Sequence, residues 1–438
     1  MVSKFYLVFL LYGVISSPVF NPEENFGDTD GPWNYLGVSG YAGTISMNPL
    51  TGSSLFYWLF EAIDGNITSD NLPLILWLQG GPGCSGSFGM LWEAISPITV
   101  NQNTNPLRTP LNQTWSTNYH IISVDFPYGA GYSTAYKSSD ERNTTQDATY
   151  YLYKFLTILG GKYPQWFERP FYIFGESYGG HWVPGLAWNI LQQNSLNKTG
   201  FIIPLKGIGI GDPWVDALTQ SQTYSQYSLS ASLINNNEFS IVNYFQNMVL
   251  VQLANNQTLQ AEESWENTYN SVVEFSGGVN EYNVRQYGQY NEDSLITFMN
   301  LNSTKQMLNV DINLDWVSCN DTIYDYYKAD IMNSSIIYFP YILSQGVNVM
   351  IYNGQDDLIV NSPGVENMMA NIDWINAQDF EQASKIEWTV NDEIAGYVQT
   401  YDNLTFVLVL ASGHMAPYDQ PINIKDMVER FINGTGWN

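Results

Sequence analysis

The chain has 438 residues, 42 of them acidic and 15 basic, for a formal net charge of −27. Nucleic acid and anionic lipid need Lys and Arg to neutralise their phosphates, so neither is expected as a main partner. Hydrophobic residues make up 45% and aromatic residues 15%, against only 13% charged, which excludes a disordered chain and matches no collagen, coiled-coil, repeat or disulfide-scaffold composition.

Residues 1–20 carry one cation, Lys4, then the apolar run 5–15, then the small residues Ser16 and Ser17. That is the layout of a secretory signal peptide, assigned to residues 1–17, and the run is too short for a membrane anchor. No later stretch approaches 18 uninterrupted apolar residues. The expected location is the secretory pathway, either extracellular or in a lysosome- or vacuole-like compartment. An oxidising lumen would allow one disulfide between the two cysteines, Cys84 and Cys319. Ten N-x-Ser/Thr acceptors between Asn66 and Asn433 permit glycosylation.

Residues 72–78 (LPLILWL) form a short apolar run that stops at Gly80-Gly81-Pro82-Gly83, the pattern of a strand buried on both faces. Residues 121–125 (IISVD) repeat it ahead of Pro127 and Gly129. Residues 143–159 have apolar and aromatic positions at helical spacing, with Asp147 near the start. Further strands are expected at 171–174 (FYIF), 208–210, 347–352 and 405–410. Strands alternating with helical segments predict an α/β fold, its sheet mostly parallel and covered by helices on both faces. Between about 212 and 333 this rhythm yields to polar, Asn/Gln/Tyr-rich helical stretches. The expected organisation is a core in two parts, 18–211 and 334–438, with a mainly helical cap inserted at 212–333.

The chemistry lies at strand ends. Gly175-Glu176-Ser177-Tyr178-Gly179 follows the FYIF strand and precedes a helix-like segment, which is G-x-S-x-G in its required context. Such a turn lifts the serine Oγ above the sheet as a nucleophile, where a chance Gly-rich turn would not need both flanking elements. Ser133 in Gly131-Tyr132-Ser133-Thr134-Ala135 lacks the second glycine and reads as a loop serine. A serine nucleophile needs a base, and there are three histidines. His120 begins a buried strand and reads as structural, whereas His181 sits four residues past Ser177 on the following helix, a turn below the hydroxyl. His414 follows the 405–410 strand near the C-terminus, as the base of an α/β-hydrolase does. The acid must precede it on a strand end, and the adjacent Asp356 and Asp357 both qualify by spacing.

Four segments resemble the signature blocks of serine carboxypeptidases: 77–86 (WLQGGPGCSG), 175–184 (GESYGGHWVP), 352–360 (YNGQDDLIV) and 412–421 (SGHMAPYDQP). The closing 430–437 (RFINGTGW) and 395–397 (AGY) are most similar to the vitellogenic carboxypeptidase-like branch. The resemblance runs from about residue 30 to the C-terminus and is weakest in the cap. It implies an α/β-hydrolase fold, a helical cap and release of single C-terminal residues from peptides through an acyl-enzyme; the expected optimum, from the glutamate pair described next, is acidic. Within that branch the acid matches Asp357, because it directly precedes the L-I-V run. The resemblance places the oxyanion hole at the N–H groups of Gly81 and Tyr178. It places the substrate's terminal carboxylate against Gln79, the backbone of Gly80, and the glutamates Glu93 and Glu176. Two carboxyls in contact share a proton and can donate a hydrogen bond to a third. Cys84 and Cys319 match cysteines that pair with each other in the family.

Some positions depart from the usual blocks: Gln79 for Asn, Gly180 for Ala, Gly86 for Ser, and Ser96 for the Gly before Pro97. No catalytic atom is lost by them. No organic cofactor is implied, and no metal, since the histidines and cysteines show no ligand spacing. Partners are then peptides or proteins with a free C-terminus. Two rival readings are an acyltransferase or esterase on the same scaffold, and a binding or stabilising protein with a vestigial site. The Glu93/Glu176 pair argues against the first, since an ester presents no terminal carboxylate, and the intact Ser/Asp/His set argues against the second.

Overall fold

The computed structural model describes residues 28–101, 105–137, 140–196 and 200–437. The signal peptide expected at 1–17 lies outside these residues. The described residues open with three antiparallel strands, β1 (Gly31–Tyr35), β2 (Val38–Asn48) and β3 (Ser53–Phe60). Next come β4 (Leu74–Leu78), the short helix α1 (Gly86–Trp92), an antiparallel pair of β5 (Ile98–Thr99) and β6 (Leu107–Arg108), and then β7 (His120–Val124). β8 (Phe171–Glu176) and β9 (Leu205–Gly211) follow, and later a small hairpin of β10 (Val279–Asn280) and β11 (Asn283–Tyr287). The last strands are β12 (Asn348–Gly354), β13 (Ile386–Val390), β14 (Glu393–Tyr401) and β15 (Leu404–Val409).

Eleven strands make one sheet, in the order β1-β2-β3-β7-β4-β8-β9-β12-β15-β14-β13. From β7 to β15 all neighbours are parallel, and antiparallel strands extend both ends. The six strands anticipated from continuous apolar runs are the six of this parallel centre. Among the flanking strands, β3 was missed despite its buried apolar run LFYWLF, whereas two others went unread for a physical reason. β2 (VSGYAGTISMN) and β14 (EIAGYVQTY) mix buried with half-exposed or exposed positions, so they carry no continuous apolar run.

Alternation along the central strands feeds two cores. Leu74, Leu76 and Leu78 of β4 enter one, while Ile75 and Trp77 enter the other. The first core lies under α2 (Thr145–Lys162) and α3 (Gly179–Leu196). Thr144 caps α2 by accepting the Asp147 N–H at 3.3 Å, and Lys162 sits in its last turn, both favourable to the helix dipole. The second core holds α1, Trp115 and the C-terminal helix Pro421–Asn433.

Between β9 and β12 the chain is mostly helical. Its two longest helices there, Asn236–Ala254 and Thr258–Phe275, pack on each other, and the first starts with a capping box of Asn235 and Glu238. This segment also carries the β10–β11 hairpin and Cys319, which is disulfide-bonded to Cys84 in the loop before α1. The parallel centre has one functional consequence. Gly80 and Gly81, Ser177, Asp212, Asp357 and His414 all leave the carboxyl ends of β4, β8, β9, β12 and β15, on one rim of the sheet.

Candidate active site

Ser177 sits directly after β8 with φ of +60°, a left-handed conformation unfavourable for a non-glycine residue. The turn is held on both sides of the peptide. Ser177 N–H donates to Gly211 O at 3.0 Å, and its C=O accepts from Trp214 N–H and Gly180 N–H at 2.9 Å each. α3 begins two residues later and docks closely: a Cβ on Gly180 would lie 2.3 Å from Trp214 O. A Cβ on Gly86 would similarly fall 2.5 Å from Val124 O, so both glycine departures fit close backbone approaches here. Among the described residues, the N–H groups of Gly81 and Tyr178 donate to no protein acceptor.

His414 is 3% exposed, and its Nδ1 lies 2.7 Å from Asp357 Oδ2, which is fully buried. Asp357 Oδ1 accepts the Val360 N–H at 3.0 Å, so both oxygens of this carboxyl are engaged. The neighbouring Asp356 turns outward instead, to an ion pair with Arg285 at 2.8 Å. The structure thus brings Asp357, and not Asp356, to the histidine. Tyr282, in the β10–β11 hairpin, accepts the His414 N–H at 2.7 Å and packs its ring 5.3 Å from the imidazole. Glu281 of the same hairpin accepts from Leu358 and Ile359, just beyond Asp357. Sequence reasoning did not find this clamp, since no local pattern links residue 282 to residue 414.

Gln79, Glu93 and Glu176 converge beside the serine, and both glutamates are 1% exposed. The Gln79 side-chain NH2 lies 3.1 Å from Glu176 Oε1 and 3.4 Å from Glu93 Oε1. Its carbonyl accepts the Trp77 indole N–H at 2.8 Å, and a Cβ on Gly89 would collide with it at 1.9 Å. Glycine at 89 therefore makes the room that the longer Gln needs. The remaining oxygens, Glu93 Oε2 and Glu176 Oε2, are buried with no N–H or hydroxyl donor. Burial raises both carboxyls far above the usual range, and their mutual contact raises Glu176 further. Two such groups cannot both ionise, so the pair holds a proton between them. Ser96, the departure just before Pro97, is fully buried and donates to Ile98 O at 2.6 Å.

The other candidates take structural places. His120 accepts the Ala62 N–H at 3.0 Å and meets Asp70 at 2.8 Å. His181 is buried in a stack on the Tyr178 ring, 4.3 Å between centroids, with Thr145 Oγ1 3.2 Å from its Nδ1. Ser133 accepts the Phe56 N–H at 2.8 Å and donates to Asp125 O, which ties the loop to β3. Cys84 and Cys319 are joined as the resemblance implied.

One buried carboxyl in the site was missed by sequence reading. Asp212 follows β9, and its carboxyl oxygen, one of Asp357 and a ring nitrogen of His414 lie within 4.8 Å of one another. Two carboxyls and an imidazole could suit a cation, but hydrogen bonds already engage His414 Nδ1, both Asp357 oxygens and Asp212 Oδ1, which leaves Asp212 Oδ2 alone without a donor. His414 Nδ1 is engaged by Asp357, while Asp212 Oδ1 accepts Gly354 N–H at 2.8 Å and the Asn353 side-chain amide at 3.1 Å. The available signal was an acid directly after an apolar strand, but its neighbour strand could not be read from spacing.

Ser177, His414, Gly81, Tyr178, Gln79 and Glu176 all line one cavity of about 670 Å³, with aromatic walls that include Trp214, Trp265 and Tyr269. It presents a serine on a sharp turn, a histidine held by a buried carboxylate, unpaired backbone amides and the buried Glu176 carboxyl, with Glu93 behind it.

Residues 31–434 match the serine carboxypeptidase family. The chain is 33% identical over 404 residues to serine carboxypeptidase S10 family member 1 of Dictyostelium discoideum, covering 91% of this chain and 94% of the relative. It is 30% identical over 420 residues to "Probable serine carboxypeptidase CPVL" of the same organism, covering 94% and 81%. Among solved structures, a prohormone-processing carboxypeptidase from Saccharomyces cerevisiae superposes with a TM-score of 0.80 at 26% identity, covering 91% of this chain and 92% of that one. The chain belongs to the serine carboxypeptidase family, on an α/β-hydrolase fold.

Proposed function

We propose that this enzyme removes single C-terminal residues from peptides and proteins, with Ser177 as nucleophile, His414 as general base and Asp357 as the group that orients His414. The observation that carries the reading is that Ser177 on its strained turn, His414 and Glu176 line one cavity, with Asp357 behind His414 and Glu93 joined to Glu176 through Gln79. Ser177 Oγ attacks the last peptide carbonyl, and His414 takes its proton and returns it to the leaving amine. Gly81 and Tyr178 N–H groups stabilise the oxyanion, where unpaired amides are already in place. Water then enters and releases the acyl group by the same proton path in reverse.

Gln79, Gly80 N–H, Glu93 and Glu176 bind the substrate's free carboxylate. An ionised pair would repel that anion, whereas a protonated pair donates to it. This requirement favours acidic pH, and His414 must be neutral to serve as base, so the activity profile is a bell with an acidic optimum. A signal peptide at 1–17, a cap at 212–333, glycosylation, and a lysosome- or vacuole-like or extracellular destination complete the reading. No helix among the described residues is long and apolar enough to cross a membrane.

The test is incubation of the purified enzyme at pH 5 with a peptide library, free-ended and amidated, followed by mass spectrometry. Loss of one C-terminal residue at a time from free ends is the expected result. Ester cleavage or acyl transfer without such trimming would move the scaffold's activity to another acceptor, and no turnover at all would mark a vestigial site.

A further inference from the structure

Asp212 lies behind the acid and base of the triad, and a role for it rests on Asp357 being that acid and His414 that base. Gly211 of β9 stands in register with Tyr352 of β12, so Asp212 and the loop carrying Asp357 leave adjacent strand ends. Asp212 is fully buried, and its backbone sits at φ +45°, held by an N–H bond to Tyr352 O at 2.8 Å. Oδ1 is saturated by Gly354 N–H and the Asn353 amide. Oδ2 is buried and meets no N–H or hydroxyl donor.

The geometry points to Asp212 as a positioning residue, a neutral carboxylic acid whose Oδ2–H donates to Asp357 and completes a relay Asp212–Asp357–His414. An ionised Oδ2 there would be a buried, unpartnered charge beside a second carboxylate, which is the costliest arrangement available. Protonation turns that orphan acceptor into a donor and gives Asp357 a third hydrogen bond beside those from Val360 and His414. Burial, and next the charge of Asp357, push the Asp212 carboxyl well above its usual range. The titratable groups facing it are Asp357 and His414 from the loops after β12 and β15, Glu176 at the end of β8, Glu93 at the end of α1, and the Tyr352 phenol. His414 is the one of these that can become a cation, so no fixed positive charge in this set would hold Asp212 ionised.

The relay has a specific effect. A hydrogen bond into Asp357 disperses part of its negative charge, so His414 gains less by becoming an imidazolium and remains available as base at lower pH. Asp212 thereby extends the acid limb of the reaction as well as fixing the Asp357 rotamer.

The experiment measures kcat/KM against pH for one free-ended, N-blocked dipeptide with the full enzyme and with Asp212→Asn and Asp212→Ala. Fluorophosphonate labelling of Ser177 is scored in parallel, with Ser177→Ala as the unlabelled control. The asparagine keeps both the acceptor and a donor, so its profile should stay within about twofold of the parent at every pH. The alanine has no donor, so its acid limb should move upward by about half a pH unit or more. Two results overturn the relay while Ser177 still labels: an Asp212→Asn limb displaced downward, as removal of an ionised charge would produce, or an Asp212→Ala profile identical to the parent. If Asp212→Ala does not fold, the direction of the Asp212→Asn limb decides alone. Failure of Ser177 to label, or full turnover by Ser177→Ala, overturns the triad itself and the relay with it, and so is told apart from a failure of Asp212.

Discussion

Replacing Glu176 with Gln tests the part of the site that separates a carboxypeptidase from other serine hydrolases. In the parent, Glu93 and Glu176 share a proton because burial holds both carboxyls far above their usual range. A raised carboxyl keeps its proton through the ordinary carboxylate range and loses it as pH climbs through the raised value. When that proton leaves, a donor to the substrate carboxylate is replaced by a second negative charge. A hydrogen bond to a charged group contributes about 1.5–3 kcal/mol, equivalent to roughly 10- to 150-fold in KM. KM for a free-ended peptide should therefore rise by that order from acidic toward alkaline pH, while KM for the matching amide changes far less. In Glu176→Gln the amide NH2 is a donor that does not titrate, so the KM profile should flatten and the gap between free acid and amide should narrow. The assay is KM against pH for one peptide with its end free and then blocked, with parent and variant side by side. If the parent gives the same KM profile for both peptides, the carboxylate-binding role of the pair is wrong.

Ser177→Ala should fold and lose activity by several orders of magnitude, leaving a residual factor of roughly 10³ over the reaction in water; a fully active variant would remove Ser177 from the mechanism. Asp357→Asn should be crippled by loss of the 2.7 Å bond to His414, whereas Asp356→Asn, facing Arg285, should stay near normal in kcat/KM; the reverse result would shift the acid by one position. Thermal stability should peak near pH 4–5 and fall toward neutrality, measured as Tm across pH 4–8. The sign follows from Asp125, which burial pushes up to about 6: it stabilises the fold below its unfolded value of 3.8, and about 3 kcal/mol of that is lost as pH rises through 6. Asp70 acts oppositely, since hydrogen bonds from His120 and the Asn66 and Leu72 amides outweigh its burial and lower it to about 2, so its contribution is lost only below pH 4. A Tm that is flat or rises between pH 5 and 7.5 would contradict this.

What was legible in the sequence depends on how far each signal reaches along the chain. β4 and β8 are buried on both faces, so their apolar runs are continuous, and each ends abruptly where the chain turns toward the site. The elbow was legible because Ser177 and its flanking glycines lie within five residues of one another. His414 emerged by elimination, but its partner did not. Asp356 and Asp357 differ only in what meets them, Arg285 for one and His414 for the other, and both partners are distant in sequence. Glu93 was reachable through resemblance alone, because a buried acid at the end of a short helix has the same local pattern as an exposed one. Asp212 escaped altogether, since its significance depends on β9 lying beside β12 with 136 residues between the two strands.

The segment between β9 and β12 explains why these loops can hold their geometry. Strand ends provide positions, but the loops carrying Gly81, Asp357 and His414 have few partners within the sheet. The chain between the two strands grips them at two places. Near the oxyanion loop, Ser85 N–H donates to Ser318 O at 2.7 Å, Asn320 N–H donates to Gly83 O at 3.1 Å, and the Cys84–Cys319 bond lies between. At the second place, Glu281 O receives Leu358 and Ile359, Tyr282 O receives His414, and Val284 N–H donates to Asp356 O. Apart from the disulfide, each contact is made by main chain, so it constrains loop position largely independently of side-chain identity. What must persist there is a set of backbone donors and acceptors at fixed places, and many sequences can provide those while altering the walls that meet the substrate.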